Sequence, residues 1–298
     1  MSKDFIKAVY EFHGYFNEDA ELMEKAIRVE NLFSLIRENK IQKFQSEIKK
    51  SPKALYSTNN LRQTALHIAC QYDRPEILSF LLERLPKDTK SEDRFINKRD
   101  IDGFTPLMVC ADRNRTECAK ILMPYKPDLT IVGYDLKRNV AHLAAQKNSV
   151  EILRLVLSAT ANRKKILNIN EPCTDRECRE YTPAHFAASN FADKAIEVLK
   201  ELGADINACA HYKTPLMIAF QSGSQAVASY LLDQPEIDLT LRDSSGHLAY
   251  HYARHFRAPT STVKQIRYMT EEQFKEKYPK IVSKQELKAL ISKEHTKE

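Results

Sequence analysis

The sequence lacks tryptophan and is poor in chain breakers, with six glycines and twelve prolines among 298 residues. This scarcity excludes collagen-like and low-complexity chains. No apolar run approaches the ~18 residues that a membrane-spanning helix requires, and the first residues form no apolar signal segment behind a basic start. These absences predict a soluble protein that makes no membrane contact and resides in the cytoplasm, the nucleus or both.

Cysteine is also sparse, and its placement argues against a secreted disulfide framework. Three of the six cysteines, Cys70, Cys110 and Cys118, fall within apolar helical patterns and are predicted to be reduced core residues. Cys173 and Cys178 are the only close pair outside the predicted helices. A zinc site needs four ligands, and no second pair completes this one, so we expect no metal and interpret the pair as loop thiols that could oxidise.

Motifs for catalysis are missing as well. The sequence has no glycine-rich phosphate loop, no Gly-x-Ser-x-Gly elbow, no His-Glu-x-x-His pair and no kinase signature. We therefore expect neither an enzyme nor a cofactor, and assign no catalytic residue.

Charge is moderate and mixed, with 46 Lys and Arg against 40 Asp and Glu, a net charge of +6. Because the basic residues are dispersed, we expect any association with nucleic acid to be indirect. A mildly basic surface instead favours an acidic protein partner.

The informative feature is an internal repeat. Five segments share the pattern Thr/Asn, then Pro or a small residue, Leu/Ala, His/Met, an apolar residue and Ala/Cys: residues 64–69, 105–110, 139–144, 182–187 and 214–219. Weaker copies lie at residues 32–35 and 248–253, and equivalent positions are 34, 41, 34, 43, 32 and 34 residues apart. The two long intervals predict insertions around residues 87–94 and 161–179.

This pattern resembles the ankyrin signature Thr-Pro-Leu-His-x-Ala. The resemblance implies an all-α repeat solenoid of helix-turn-helix-hairpin units, about seven of them including degenerate terminal units. We expect an N-terminal helical extension or cap at residues 1–30, an ankyrin-repeat domain at 31–258 and a basic C-terminal helical extension at 259–298.

Each motif residue has a physical task. Thr or Asn accepts a backbone N–H at the start of the inner helix, Pro fits its first turn, and the terminal Ala or Cys lets the neighbouring helix approach closely. The recurring histidines are predicted to bind backbone in the adjacent turn: His67, His142, His185 and His251. Where the inner helix ends, left-handed backbone is predicted at Asn39, Asp73, Asn114, Asn148 and Gly223, and an adjusted turn at residues 189–191.

The resemblance implies a non-enzymatic protein-protein interaction module, a scaffold, adaptor or inhibitory subunit that binds a partner on its concave face as a monomer or hetero-complex. Residues 63–77 also resemble a repeat of the inhibitors of NF-κB-type transcription factors, which suggests a nuclear regulator as an alternative. A second alternative is a structural component of a large multi-subunit or cytoskeletal assembly.

The repeat register predicts the residues that contact the partner. Aromatic and basic side chains at hairpin tips and at the ends of inner helices are typical of binding hot spots. The candidates are Tyr72, Phe104, Arg113, Arg138, Lys147, Arg179, Tyr181, Tyr212 and Lys213. In addition, the leucine-to-asparagine spacing from Leu199 resembles the pattern that asparaginyl hydroxylases accept in ankyrin repeats, which predicts hydroxylation at Asn207.

Overall fold

The computed structural model describes residues 20–84, 95–135, 137–159, 167–174, 180–277 and 284–292. Within these ranges the regular structure consists of 15 α-helices and three short 3-10 helices, and the only β-pairing is an isolated bridge between Ala210 and Lys213. The predicted all-α fold is confirmed. The chain divides into two compact units, Met1–Asp128 and Leu129–Glu298.

The first unit contains three helix pairs among its described residues. They are α1 (Ala20–Arg37) and α2 (Ile41–Lys50), α3 (Ala65–Gln71) and α4 (Pro75–Arg84), and α5 (Pro106–Arg113) and α6 (Thr116–Leu122). Short 3-10 helices follow at Pro52–Tyr56, Phe95–Asn97 and Met123–Tyr125. Inner helices α1, α3 and α5 contact one another in that order, and outer helix α4 contacts α6.

The second unit contains four further pairs and a terminal helix. The pairs are α7 (Val140–Gln146) and α8 (Val150–Ser158), α9 (Pro183–Ser189) and α10 (Asp193–Glu201), α11 (Pro215–Ser222) and α12 (Gln225–Leu232), and α13 (Ala249–His255) and α14 (Thr260–Lys277); α15 covers Lys284–Ser292. Inner helices α7, α9, α11 and α13 stack in sequence.

The motif residues start the inner helices as predicted. Thr105 Oγ1 accepts the backbone N–H of Met108 at 3.3 Å, and Thr214 Oγ1 accepts that of Met217 at 3.4 Å. Asn139 does the same for α7 with its side-chain oxygen. These bonds satisfy N–H groups that otherwise lack a partner in the first helical turn.

Small residues at the end of the motif permit the stacking. All six are fully buried: Ala69, Cys110, Ala144, Ala187, Ala219 and Ala253. The outer helices complete each core with apolar residues at helical spacing, such as the buried Ile77, Leu81 and Leu82 of α4. The predicted insertions fall largely outside the described residues.

The turn between inner and outer helix uses left-handed backbone throughout. The predicted positions Asn39, Asp73, Asn114, Asn148 and Gly223 have φ values of 57°, 56°, 55°, 54° and 78°. In the two remaining pairs this position holds Phe191, with φ 59°, and Arg257, with φ 54°. The adjusted turn expected at residues 189–191 therefore keeps the same backbone geometry and places an unusual residue in it.

At the N-terminal side, residue 30, where we expected the extension to end, lies inside the continuous helix α1. The next turn is fastened to this helix, because the Arg74 guanidinium donates to the carbonyl oxygens of Ile36 at 3.2 Å and Arg37 at 2.6 Å. Helix α1 thus packs as the inner helix of the first pair.

At the C-terminal side, α14 serves as the outer helix of the last pair. The Gln273 side chain accepts the Leu239 N–H at 2.7 Å and donates to the Ile237 carbonyl at 2.6 Å, so α14 binds the preceding hairpin. Leu287 and Ile291 of α15 form a buried cluster with Leu248 and Phe274. Helices α14 and α15 therefore cover the last apolar face of the second unit.

Candidate binding surface

Two neighbouring hairpin tips in the first unit expose apolar side chains. Leu61 is 47% exposed and Ile101 is 51% exposed, and the Ile101 N–H donates to the Leu61 carbonyl at 2.9 Å. A side chain of each hairpin hydrogen-bonds its own backbone. The Asn59 side-chain oxygen accepts the N–H groups of Leu61 and Gln63. In the next hairpin Asp100 Oδ1 accepts those of Asp102 and Phe104. The loops are ordered by their own polar residues, which leaves the tips pointing into solvent.

The other candidates in this unit differ in exposure. Tyr72, at the end of α3, is 39% exposed, and Arg113, at the end of α5, is exposed beside Asp112, with 3.2 Å between Nε and Oδ2. Phe104 is half-buried, and its carbonyl accepts the Nε2–H of the buried His67 at 2.9 Å. Tyr72 and Arg113 are accessible to a partner, whereas Phe104 also serves to join adjacent repeats.

The most unusual hairpin of the second unit connects Ala210 and Lys213. Each of these residues donates its N–H to the carbonyl of the other at 2.9 Å, so the loop between them has two residues, His211 and Tyr212. Both have positive φ, 47° and 61°, as a type I′ turn requires. That turn strongly prefers Asn-Gly, yet here it holds two bulky residues, and Tyr212 is 65% exposed.

Lys213 and Tyr181 lie beside this hairpin and are partly buried. The Lys213 Nζ donates to Gln221 Oε1 at 2.9 Å and lies 5.5 Å from the centre of the Tyr252 ring. The Tyr181 ring stacks on His185 with centroids 5.2 Å apart. Both side chains therefore contribute to packing and present only part of their surface.

Arg138 requires a correction, because the sequence suggested a solvent-facing residue and the structure buries it. Its exposed fraction is 7%, Nη1 donates to Gln146 Oε1 at 3.1 Å, and the guanidinium lies 4.5 Å from the centre of the Phe186 ring. A residue so enclosed joins α7 to α9 and stabilises the repeat. Lys147 is exposed at the end of α7, and Arg179 lies outside the described residues.

The repeated histidines have the structural role predicted for them. His67 Nδ1 accepts the Thr64 N–H at 3.1 Å, so Nε2 carries the hydrogen that is donated to the next hairpin. His185 repeats this arrangement between Thr182 and the Lys213 carbonyl, at 3.3 and 3.0 Å. Burial lowers the pKa of both rings from 6.5 to about 4, although the carbonyl bonds oppose the shift. They are neutral cross-links, with both nitrogens engaged.

His142 and His251 follow the same scheme: the Nδ1 of each accepts the N–H at the start of its helix, and His142 Nε2 lies 2.8 Å from the Glu171 carbonyl. Among the residues that the structure describes, no three His, Cys, Asp or Glu side chains are grouped so as to hold a metal ion. Cys173 is buried and pairs through its backbone with Glu180 and Tyr181, while Cys178 lies outside the described ranges.

Asn207 is engaged with the following hairpin through both atoms of its amide. Its Nδ2 donates to the Glu236 carbonyl at 2.8 Å and its Oδ1 accepts the Asp238 N–H at 2.9 Å. Asn97 accepts the Asp128 N–H at 2.9 Å in the equivalent way. The amide therefore has a structural task, and a hydroxylase would have to act on an asparagine held in these bonds.

Sequence reasoning did not detect the strain in the His211–Tyr212 turn. A signal was available, because the hairpin before Thr214 contains no Gly or Asn at its tip. The exposure of Phe191, at 60%, was also missed, although its place in the left-handed position could be read from the register.

Comparison with known proteins agrees with this architecture. The family model for ankyrin repeats, with three copies, matches residues 32–133 and 87–168. Mouse (Mus musculus) inversin is 24% identical over 167 residues, which are 55% of this chain and 15% of inversin. The chain thus spans only a small part of that curated relative.

Solved structures extend the match over most of the chain. The ankyrin repeat domain of Bcl-3, a member of the IkappaB protein family, has a TM-score of 0.61 at 19% identity and covers 79% of this chain and 96% of that domain. The human ASB11 ankyrin repeat domain has a TM-score of 0.62 at 20% identity and covers 79% and 95%.

The chain has the ankyrin-repeat fold, and residues 32–168 match the ankyrin-repeat family, as the motif predicts. Repeat proteins of this kind present extended surfaces on which other molecules bind. Of the helices in the described ranges, none combines the length and apolar character needed to span a membrane.

Proposed function

We propose that the chain is a non-enzymatic protein-binding module, a scaffold, adaptor or inhibitory subunit whose hairpin tips and inner helices bind a partner protein. The proposal is carried by the hairpin tip at His211 and Tyr212. Two residues with positive φ cost about 1–2 kcal/mol each unless they are Gly, Asn or Asp, and an exposed aromatic ring adds nothing to the core. Strain of this kind is retained where the site has a function.

Other exposed side chains extend the surface in each unit. Tyr, Trp and Arg dominate binding hot spots because they bury large areas and offer a polar group. In the first unit Tyr72 and Arg113 have this character beside the apolar tips Leu61 and Ile101. In the second, Tyr212 lies next to Lys213.

The charges of this surface favour an acidic partner segment. In the second unit Lys147 and Lys213 are basic and the exposed Glu180 accepts the His211 N–H at 3.3 Å, whereas in the first unit Arg113 is paired with Asp112. Complementary charge of this kind accelerates association and is screened by salt. We therefore expect partner binding to weaken as ionic strength rises.

We propose that the partner binds the concave face of an ankyrin-repeat domain at residues 31–258. We further propose that the protein resides in the cytoplasm, the nucleus or both, and that Asn207 is hydroxylated. The alternative of a nuclear regulator is favoured by residues 63–77. Likeness to Bcl-3 adds no preference, since ASB11 matches equally well. The other alternative, a structural component of a large assembly, predicts that the isolated chain aggregates, whereas a binding module is expected to be monomeric.

The test compares two tyrosines of equal exposure in different places. Tyr212 at the hairpin tip is 65% exposed and Tyr268 on α14 is 66% exposed. Full-length wild type, Tyr212→Ser and Tyr268→Ser are used as baits in affinity purification from the native cell, with quantitative mass spectrometry and a circular dichroism check of folding. We expect a protein captured by wild type and Tyr268→Ser to be lost with Tyr212→Ser. Equal recovery by all three baits would contradict the hairpin surface.

A further inference from the structure

The edge of the second unit where inner helices turn into outer helices has unusual residues at the left-handed position. Asn148 occupies it in the first pair of this unit, followed by Phe191, Gly223 and Arg257. Asn and Gly tolerate positive φ, whereas a bulky side chain there is a genuine outlier. Two of these four turns therefore carry a residue that the backbone disfavours.

The Asn at this position has a task that Phe191 cannot perform. Asn148 Oδ1 accepts the Ala195 N–H at 2.8 Å and its Nδ2 donates to Asp193 at 3.2 Å, so it caps the outer helix of the next pair. Phe191 supplies no such bond, and its side chain is 60% exposed. Folding does not explain this residue, because an asparagine would serve the turn better.

The same edge has a cavity at the next two turns after Phe191, those of Gly223 and Arg257. This cavity of about 140 Å³ lies beside Gly223 and is lined by the apolar residues Phe220, Ala228, Phe256 and Pro259 together with the polar residues Gln225, Ser229 and Thr262. A Cβ added to Gly223 would meet no atom within 4 Å. An apolar cavity of about 150 Å³ holds a benzene ring, so this cavity has the size of one large apolar side chain.

The charge around the cavity is positive. Among the described residues that line it, only Arg257 is charged. Arg254, His255 and Arg257 are all exposed at the end of α13, and the guanidinium groups of Arg254 and Arg257 make no hydrogen bond or ion pair with any described residue. A carboxylate next to an apolar group would complement this site.

We propose that this turn edge is a second protein-binding surface, which takes an extended partner segment with a large apolar side chain in the cavity and a neighbouring Asp or Glu on Arg257. Stacked helices lie about 10 Å apart, so Phe191 is about 20 Å from Phe256. An extended segment covers that distance with about six residues and reaches the exposed Phe191 ring as its second contact. This surface lies at the opposite end of the inner helices from the hairpin tips.

A subtractive selection tests the inference separately from the hairpin surface. A phage library that displays random twelve-residue segments is selected on the full 298-residue chain and depleted on Phe256→Ser/Arg257→Gly, which keeps the hairpin tips. Glycine relieves the positive φ at residue 257, so this variant is expected to fold, and circular dichroism verifies it. Retained clones are then measured against wild type, Arg257→Gly, Phe191→Asn, Tyr212→Ser and Tyr268→Ser.

We expect retained clones to pair a large apolar residue with an adjacent acid. Their affinity should fall at least tenfold with Arg257→Gly and at least threefold with Phe191→Asn, and be unchanged with Tyr212→Ser and Tyr268→Ser. The inference is overturned if no clone survives depletion, if survivors lack the acid, or if neither Arg257→Gly nor Phe191→Asn weakens them. Loss of binding with Tyr212→Ser would also overturn it, while supporting the hairpin surface.

Discussion

Acidification should destabilise both units through their buried histidines. His67 in the first unit and His185 in the second are fully buried, with both ring nitrogens engaged in hydrogen bonds. Protonation would place a charge in the core and would break the bond that Nδ1 accepts from the backbone. Lowering the pH therefore favours the unfolded chain, in which each ring is exposed to water.

The direction and size of this pH effect on stability follow from the pKa of each histidine in the folded and in the unfolded chain. Burial lowers the pKa of each ring from 6.5 to about 4 in the folded protein, so the unfolded chain binds more protons between these values. Stability is fully present above pH 6.5 and is lost as the pH falls toward 4. Between pH 7 and pH 5 each histidine should cost its unit about 2 kcal/mol.

Urea unfolding monitored by far-ultraviolet circular dichroism measures this loss, since the chain has no tryptophan to report by fluorescence. A change of about 2 kcal/mol moves a urea midpoint by about 1 M. His67→Gln and His185→Gln each lower stability at pH 7, because cross-links are lost. The decisive quantity is the further loss between pH 7 and pH 5, which should be about 2 kcal/mol smaller in each variant than in wild type.

Leu81→Ala provides the control: it lowers stability without removing a titratable group, so it should lose as much stability between pH 7 and pH 5 as wild type does. If His67→Gln and His185→Gln lose as much stability as wild type between pH 7 and pH 5, the histidines do not carry the pH response. The neutral cross-link interpretation would then be wrong.

Three further predictions concern packing and the turns, all measured by urea unfolding. Leu81, in α4, is 1% exposed, so Leu81→Ala should cost about 2–5 kcal/mol through lost burial and a cavity, with exposed Glu83→Ala as control; an unchanged midpoint would mean that the register is wrong. Phe191→Asn should raise stability by about 1 kcal/mol by relieving positive φ, and a lower midpoint would show that the ring packs. Arg138→Ala should lower the free energy of unfolding by about 1–3 kcal/mol because it removes the contacts with Phe186 and Gln146. Unchanged stability would show that these contacts do not stabilise the repeat.

Much of the fold was predictable because its signals are local. Thr105 and Thr214 start helices through bonds to residues three positions ahead, and Asn114 and Asn148 end them because their side chains tolerate left-handed backbone. Such preferences act within one turn of chain and recur at a fixed spacing. A single sequence therefore determined the repeat, its register and the buried small residues.

The binding surface was less predictable, because exposure depends on what neighbouring repeats contribute. Tyr212 and Arg138 both precede an inner helix, yet Tyr212 is 65% exposed and Arg138 is 7% exposed. Phe186, from the next repeat, covers the Arg138 guanidinium. That contact joins residues 48 positions apart, and no local pattern encodes it.

The sequence by itself determined that each unit is a stack of short helix pairs, because helix starts, turns and small packing residues are chosen by their own backbone. Only the tertiary structure decided that α14 and α15 cover the last repeat and that Phe191 and Tyr212 remain in solvent in strained turns. The physical reason is that burial is a property of the neighbours across the stack, and those neighbours are distant in sequence.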